Sequence, residues 1–311
     1  MFRKISNSGF RDWTPSQLPD LSGKTFVITG ANSGIGFEAA RYLGEKGGDI
    51  VMLCRSREKG EAARQKLSAL VKGKVDLILI DLGDLVSVRA AAEEIREKYE
   101  KIDALINNAG IMMTPQQKTV DGFDLQMGAN HLGHFLLSGL LLHRVEVAEG
   151  RIVVLSSIVH RMGQLDLDDF MSDRNYTPMK AYIQSKLSNL MFAFELDRRL
   201  KEAGSKAVCI ACHPGYASTN LQSTGPTGGM KWFLKLLNRI VAQKPEAGAI
   251  PTVLSAAGWE AQRGAYYGPQ FLGEYRGRVS DARVADYALD LGLQRRLWEK
   301  SEQLVDLKWG I

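Results

Sequence analysis

Cysteine is scarce in this 311-residue chain: Cys54, Cys209 and Cys212 are the only three. A disulfide framework normally brings more thiols in a shorter chain. Cys209 and Cys212 lie in Lys206-Ala207-Val208-Cys209-Ile210-Ala211-Cys212, which reads as a buried strand. Residues three apart on a strand face opposite ways, so the spacing argues for two core thiols and against a shared metal. Long apolar runs are missing too; nothing reaches the ~18 residues needed to span a bilayer. The start, Met1-Phe2-Arg3-Lys4, is basic, yet no continuous apolar segment follows it, so no secretory signal is expected. A cytoplasmic setting follows, with residues 1–20 as an arm laid over the domain. Neither charge sign dominates: the formal net charge is +5, and basic residues are spread among acidic ones. That excludes a nucleic-acid footprint and leaves a mild positive field for an anionic ligand.

What is present is an alternation of strand and helix. Lys24-Thr25-Phe26-Val27-Ile28-Thr29 is a short apolar run, followed by a glycine-rich turn and a helix through Phe37–Leu43. Further strands are expected at 49–54, 74–80, 102–107, 151–156 and 206–212, and a last short one at 264–268. Helices are expected at 57–70, 86–100, 120–144, 179–202, 245–257 and 281–300. Near-continuous apolar strands imply a sheet covered by helices on both faces. No Pro/Gly/Ser linker divides the chain and no repeat is visible. The expectation is one doubly wound Rossmann-type α/β domain over residues 21–311. Residues 216–243 break the rhythm. A flexible turn at 223–229 precedes the apolar stretch 230–237, which reads as a lid over an apolar pocket, a packed helix or a subunit contact.

The turn Gly30-Ala31-Asn32-Ser33-Gly34-Ile35-Gly36 joins the first strand to its helix. Gly30 permits the tight turn, Gly34 lets backbone approach a pyrophosphate, and Gly36 lets helix and strand pack closely. Free N–H groups at the helix start, around Ser33, Gly34 and Ile35, then face phosphates. The second strand ends Cys54-Arg55-Ser56-Arg57, with no acid for ribose hydroxyls. Arg55 is either a partner for a 2′-phosphate, which favours NADP(H) over NAD(H), or an exposed surface arginine. Asp81 is either an acceptor for the adenine amine, with Leu82 near the ring, or a simple loop aspartate. Asn107-Asn108-Ala109-Gly110 ends the fourth strand, where small residues pass a ribose and the amides stitch strand ends together.

Tyr182 and Lys186 lie one helical turn apart on one face. A hydride-accepting carbonyl gains charge on oxygen, and a phenol can supply the proton or take it back. A neighbouring ammonium favours phenolate and can reach ribose hydroxyls. Ser157, after the fifth strand, can donate to the developing alkoxide. Asn130 is an unfavourable residue inside a helix on propensity alone. It either holds a water linking Lys186 to solvent or makes an interior polar contact. The set predicts hydride transfer between a nicotinamide and a carbonyl or alcohol. The apolar stretch at 230–237 adds a lipophilic substrate. The competing reading is a nucleotide-sensing or scaffold protein on the same fold.

Thr29–Gly36, Asp81, Asn107–Gly110, Asn130, Ser156-Ser157, Tyr182, Lys186 and Pro214-Gly215 occur in the order found in short-chain dehydrogenases/reductases. The chain resembles that family over roughly residues 21–270. It is most similar to the retinol dehydrogenase-like and WW-domain oxidoreductase-like branch, through Asn130–Phe135 and His213-Pro214-Gly215. The resemblance implies about seven parallel strands and assembly into homodimers or homotetramers through the long helices. It also implies catalytic roles for Asn130, Ser157, Tyr182 and Lys186, and places Pro214, Gly215 and Thr219 at the nicotinamide end. Twenty-four residues separate Ser157 from Tyr182, about twice the spacing of compact members. This insert carries Asp166, Asp168, Asp169 and Arg174, which read as a solvated loop. It also carries His160, which either touches substrate or packs locally.

Overall fold

The computed structural model describes residues 1–10, 12–216 and 243–311. Thr219, the turn at 223–229 and the apolar stretch at 230–237 therefore lie outside the described residues, as does nearly all of the expected lid.

In chain order the elements are β1 (Phe2–Lys4), β2 (Thr25–Thr29), α1 (Gly34–Glu45), β3 (Asp49–Cys54), α2 (Arg57–Ser68), β4 (Val75–Leu79), α3 (Leu85–Lys98) and β5 (Ala104–Asn107). Then come α4 (Leu125–Met127), a π-helical turn (Gly128–Leu132), α5 (Gly133–Val147), β6 (Arg151–Leu155), a 3-10 turn (Ile158–Met162), α6 (Pro178–Glu202) and β7 (Val208–Cys212). After the undescribed segment follow α7 (Pro245–Ala257), β8 (Tyr266–Phe271), β9 (Arg276–Asp281), β10 (Arg283–Ala285) and α8 (Leu291–Val305).

The main sheet runs β4-β3-β2-β5-β6-β7-β8-β9. Its strands are parallel from β4 through β8, and β9 joins the edge antiparallel. Side chains alternate between the faces. Val27 enters the core under α3, α5, α6 and α8, whereas Phe26 and Ile28 enter the core under α1, α2 and α7. Cys209 and Cys212 divide between the same two cores and are free. Trp13 and Leu18 of the N-terminal arm are buried in the second core.

Three expectations are corrected. The last strand is the first half of a hairpin, β8–β9. The tail from Asp281 is not α-helical until Leu291, because β10 first pairs antiparallel with β1 and a 3-10 turn (Asp286–Leu289) follows it. The helix expected at 120–144 begins at Leu125 and contains a π-helical turn around Asn130.

The strand order reverses between β2 and β5, and such a switch point opens a crevice at the carboxyl ends of the parallel strands, where these folds bind ligands. Among the described residues, no helix is long and apolar enough to cross a membrane, and no cluster of three potential metal ligands occurs.

Candidate active site

β2 ends in Thr29, whose hydroxyl accepts the Asn108 and Ala109 amides, both at 2.9 Å. Asn108 Nδ2 returns a bond to the Thr29 carbonyl at 2.8 Å. The amides thus tie the ends of β2 and β5 together. Gly30 and Gly34 have φ of 68° and 57°, a region costly for residues with a Cβ. A Cβ on Gly36 would lie 2.4 Å from Asn108 Nδ2 and 2.5 Å from the Gly30 carbonyl oxygen. The helix start is therefore pressed against the turn with no space for a larger residue. Ser33 is the N-cap of α1 and makes no capping bond with its side chain. The first N–H groups of α1 have no partner within the helix, as at any helix N-terminus.

This turn forms one wall of a cavity of about 350 Å³. The cavity brings together Gly30, Ser33, Gly34, Ile35 and Gly36 with Asn108, Ala109 and Gly110. Ser157, Tyr182, Lys186, Pro214 and Gly215 line it as well. Arg55, Asp81, Leu82 and Asn130 do not. Leu82 is buried in the core under α5. Arg55 and Asp81 stand at the ends of β3 and β4, further out along the sheet edge.

α6 starts with Pro178 behind a Thr177 cap that accepts from the Lys180 amide. Its face carries Tyr182 and Lys186 into the interior, where they are 9% and 5% exposed. Lys186 Nζ donates to the Leu155 carbonyl at 3.1 Å, and Asn189 Nδ2 donates to the same oxygen at 3.1 Å. Ser156 Oγ donates to the Lys186 carbonyl at 2.7 Å, clamping α6 to the end of β6. Burial lowers the Lys186 ammonium to about 8. Burial raises the Tyr182 phenol to about 12, while the Ser157 hydroxyl beside it pulls the other way. The sequence leads one to expect a phenolate favoured by Lys186. In the structure burial of the phenol outweighs the opposing Ser157 hydroxyl.

Asn130 sits in the π-helical turn, fully buried. Its Oδ1 accepts the Ile111 amide at 2.8 Å, and its Nδ2 donates to the Ile111 carbonyl and to Ser185 Oγ. It therefore pins the segment after Gly110 to α6. A Cβ on Gly110 would lie 3.2 Å from Asn130 Oδ1 and 3.3 Å from Lys186 Nζ. These two groups flank one small space that glycine leaves open.

His134 bonds the Asn130 carbonyl through Nδ1 at 3.0 Å and Thr29 Oγ1 through Nε2 at 2.9 Å. Burial lowers it to about 4, so it is neutral. It joins the π-helical turn to the end of β2, a role that sequence reasoning missed although Asn130–Phe135 stood out as a motif. His160 is buried away from the cavity, with Nδ1 bonded to the Ser157 carbonyl at 2.7 Å and Nε2 accepting the Ala285 amide at 3.4 Å. It packs behind Ser157. Met112, Ile158, Val159, Tyr216 and Tyr275 also line the cavity. Tyr275 comes from the β8–β9 turn, which had no sequence signature. In the insert, Leu165, Leu167 and Phe170 are buried, and Gln184 holds the Asp166 amide and the Asp169 carbonyl.

Fold and cavity define a class: a doubly wound α/β protein whose glycine turn and Ser–Tyr–Lys group share one crevice. The family model described as short chain dehydrogenase matches residues 24–227, and the chain belongs to that family of oxidoreductases, on its retinol dehydrogenase-like branch. Human retinol dehydrogenase 13 is 39% identical over 294 residues, covering 93% of this chain and 86% of that protein. A structure of an uncharacterised protein from Mycobacterium paratuberculosis superposes with a TM-score of 0.81 at 39% identity, covering 97% of this chain and all of the other. A short chain dehydrogenase from Burkholderia cenocepacia in complex with NADP gives 0.62 at 23% identity, covering 79% and 96%.

Proposed function

We propose that this protein is an NADP(H)-dependent oxidoreductase that reduces a lipophilic carbonyl compound or oxidises the matching alcohol. The observation that carries the reading is the convergence of Ser157, Tyr182 and Lys186 on the cavity that the glycine turn opens. The fit to a dinucleotide rests on that turn. Gly36 is packed so tightly against Gly30 and Asn108 that the first turn of α1 and the strand ends lie side by side, leaving backbone N–H groups for phosphate.

When bound, NADP(H) supplies or accepts the hydride. Gly30, Ser33, Gly34, Ile35 and Gly36 would hold its pyrophosphate, and Asn108, Ala109 and Gly110 would line its ribose. Pro214 and Gly215 stand at the nicotinamide end. Arg55 would hold the 2′-phosphate through its planar fork, which is the basis for preferring NADP(H) to NAD(H). Asp81 stays with the adenine side.

The chain's own groups then divide the work. Ser157 donates to the substrate oxygen as negative charge develops there. Tyr182, protonated at neutral pH because burial raises it to about 12, gives its proton to that oxygen. Lys186 lies one turn along the helix and restores the proton through the space it shares with Asn130. Met112, Ile158, Val159 and Tyr275 give the substrate end an apolar wall, which favours a lipophilic substrate. Three buried free thiols suit a cytoplasmic setting. α8 packs on α5 and α6, which argues against assembly through the faces of those helices that it covers.

The test is an NADPH-consumption screen across aldehydes and ketones, with parallel titrations of NADPH and NADH. Reduction of a lipophilic carbonyl with tighter NADPH binding is expected. Cofactor-dependent partner binding, with no turnover of any compound, would instead establish the nucleotide-sensor reading.

A further inference from the structure

A buried charged group stands behind the substrate end of the cavity. Arg161, on the 3-10 turn that follows Ser157, forms an ion pair with Glu274, their side chains 14% and 8% exposed. Arg161 Nη2 also donates to the Arg283 carbonyl at 2.7 Å. Glu274 Oε1 accepts the Arg283 amide at 3.1 Å, and Oε2 stands 3.4 Å from His213 Nε2. His213 is fully buried at the end of β7, and its Nδ1 accepts the Gly215 amide at 3.2 Å. That bond places the ring proton on Nε2, which stands near the carboxylate as a charge–dipole contact and not as an aligned hydrogen bond. Burial alone would raise the Glu274 carboxyl; His213 and Arg161 outweigh it and hold it below the usual range.

The three elements tied together here are those that carry the cavity's outer wall. Tyr275 follows Glu274 directly, and its carbonyl accepts the Tyr216 amide at 2.8 Å. A Cβ on Gly215 would lie 2.4 Å from that same carbonyl oxygen, so the β8–β9 turn is pressed against the Pro214-Gly215 segment. On the other side, Arg161 follows Ile158 and Val159, which also line the cavity. A buried carboxylate is tolerated only when paired, and removing one partner strands the other charge. The pairing therefore holds the two walls in one relative position.

We propose that Glu274 is a positioning residue for substrate, setting through Arg161 and His213 the gap between the Ser157 turn and the Tyr275–Gly215 wall. The functional half of this inference rests on the oxidoreductase reading above. A simple folding staple would give the same contacts, so the test separates stability from substrate handling.

The experiment uses full-length Glu274→Gln and Arg161→Lys beside the unaltered chain. The substrate is the carbonyl compound turned over fastest in the screen. KM for that compound is expected to rise about tenfold, with kcat falling less and NADPH affinity staying within about twofold. Amide exchange is expected to quicken in residues 158–162 and 214–216 and to stay unchanged in α1. Arg161→Lys keeps the charge but loses the fork, so an intermediate effect is expected; it also decides the matter if Glu274→Gln does not fold. Unchanged KM with only a lower melting temperature would overturn the proposal and leave a staple. If the unaltered chain turns over nothing, the oxidoreductase reading fails, and the exchange pattern alone decides whether Glu274 couples the two walls.

Discussion

Arg55 Nη1 and Asp81 Oδ2 stand 3.9 Å apart across the ends of β3 and β4, with the guanidinium 76% exposed. Asp81 Oδ1 is occupied by the Gly83 amide at 2.9 Å. An exposed pair at this distance stabilises little, so the arginine fork is free to turn to a phosphate. Replacing Arg55 with Ala is expected to weaken NADPH binding about tenfold and NADH binding less than about twofold. Fluorescence titrations of both nucleotides measure the ratio; an unchanged ratio would remove Arg55 from phosphate recognition.

Removing the phenol oxygen tests the proton donor. Tyr182→Phe keeps the ring that α6 buries, so NADPH affinity is expected to hold while kcat falls about 10²- to 10⁴-fold. Single-turnover reduction of the best carbonyl substrate is the measurement. Retained turnover would defeat the assigned role.

Lys186 makes stability depend on pH. Its ammonium is lowered from 10.5 to about 8 by burial. Between those values the unfolded chain binds more protons than the folded one, so this residue's contribution to stability rises with pH there. Below pH 8 the folded protein carries the full cost of a buried charge, at most about 3 kcal/mol. Lys186→Met removes it, and the Leu155 carbonyl keeps its bond from Asn189. The variant is therefore expected to melt above the unaltered chain at pH 7, with the difference shrinking toward pH 10. Comparing the two chains cancels the opposing change of Tyr182. A difference that does not vary with pH would contradict the assignment.

The C-terminal helix predicts the state of assembly. Trp298 of α8 and Trp309 beyond it pack on Phe135 of α5 and Phe192 of α6. A Cβ on Gly139 of α5 would meet the Leu307 and Trp309 side chains at 2.6 and 2.7 Å. The same faces that the family resemblance assigns to subunit contacts are filled from within the chain. Light scattering is expected to return the monomer mass of 34.4 kDa. Trp298→Ala is expected to cost about 3–5 kcal/mol in urea unfolding. A dimer with cross-links between α5 of one copy and α5 of another would refute this.

The parallel strands were readable because each is a short, nearly continuous apolar run closed by a turn. Thr25–Thr29 and Asp49–Cys54 appear within a residue of their expected limits. β9 was not readable. Its sequence Arg-Gly-Arg-Val-Ser-Asp buries few side chains, and its pairing is decided by the partner strand β8. The cavity's inner residues were legible because glycines, a phenol and an ammonium at fixed spacing have few other uses in combination. Tyr275, Met112 and His134 were not, since each enters through a tertiary approach that leaves no local pattern. The π-helical turn at Asn130 was equally silent: it changes the hydrogen-bond ladder, not the apolar period.

The pairing of Phe2–Lys4 with Arg283–Ala285 has a consequence for biosynthesis. The first strand leaves the ribosome roughly 280 residues before its partner, a delay on the order of tens of seconds at ordinary elongation rates. Phe2, whose ring meets the Arg161 guanidinium at 5.5 Å, must wait unpaired throughout. The β1–β10 pair can therefore close only after every strand of the main sheet has been synthesised.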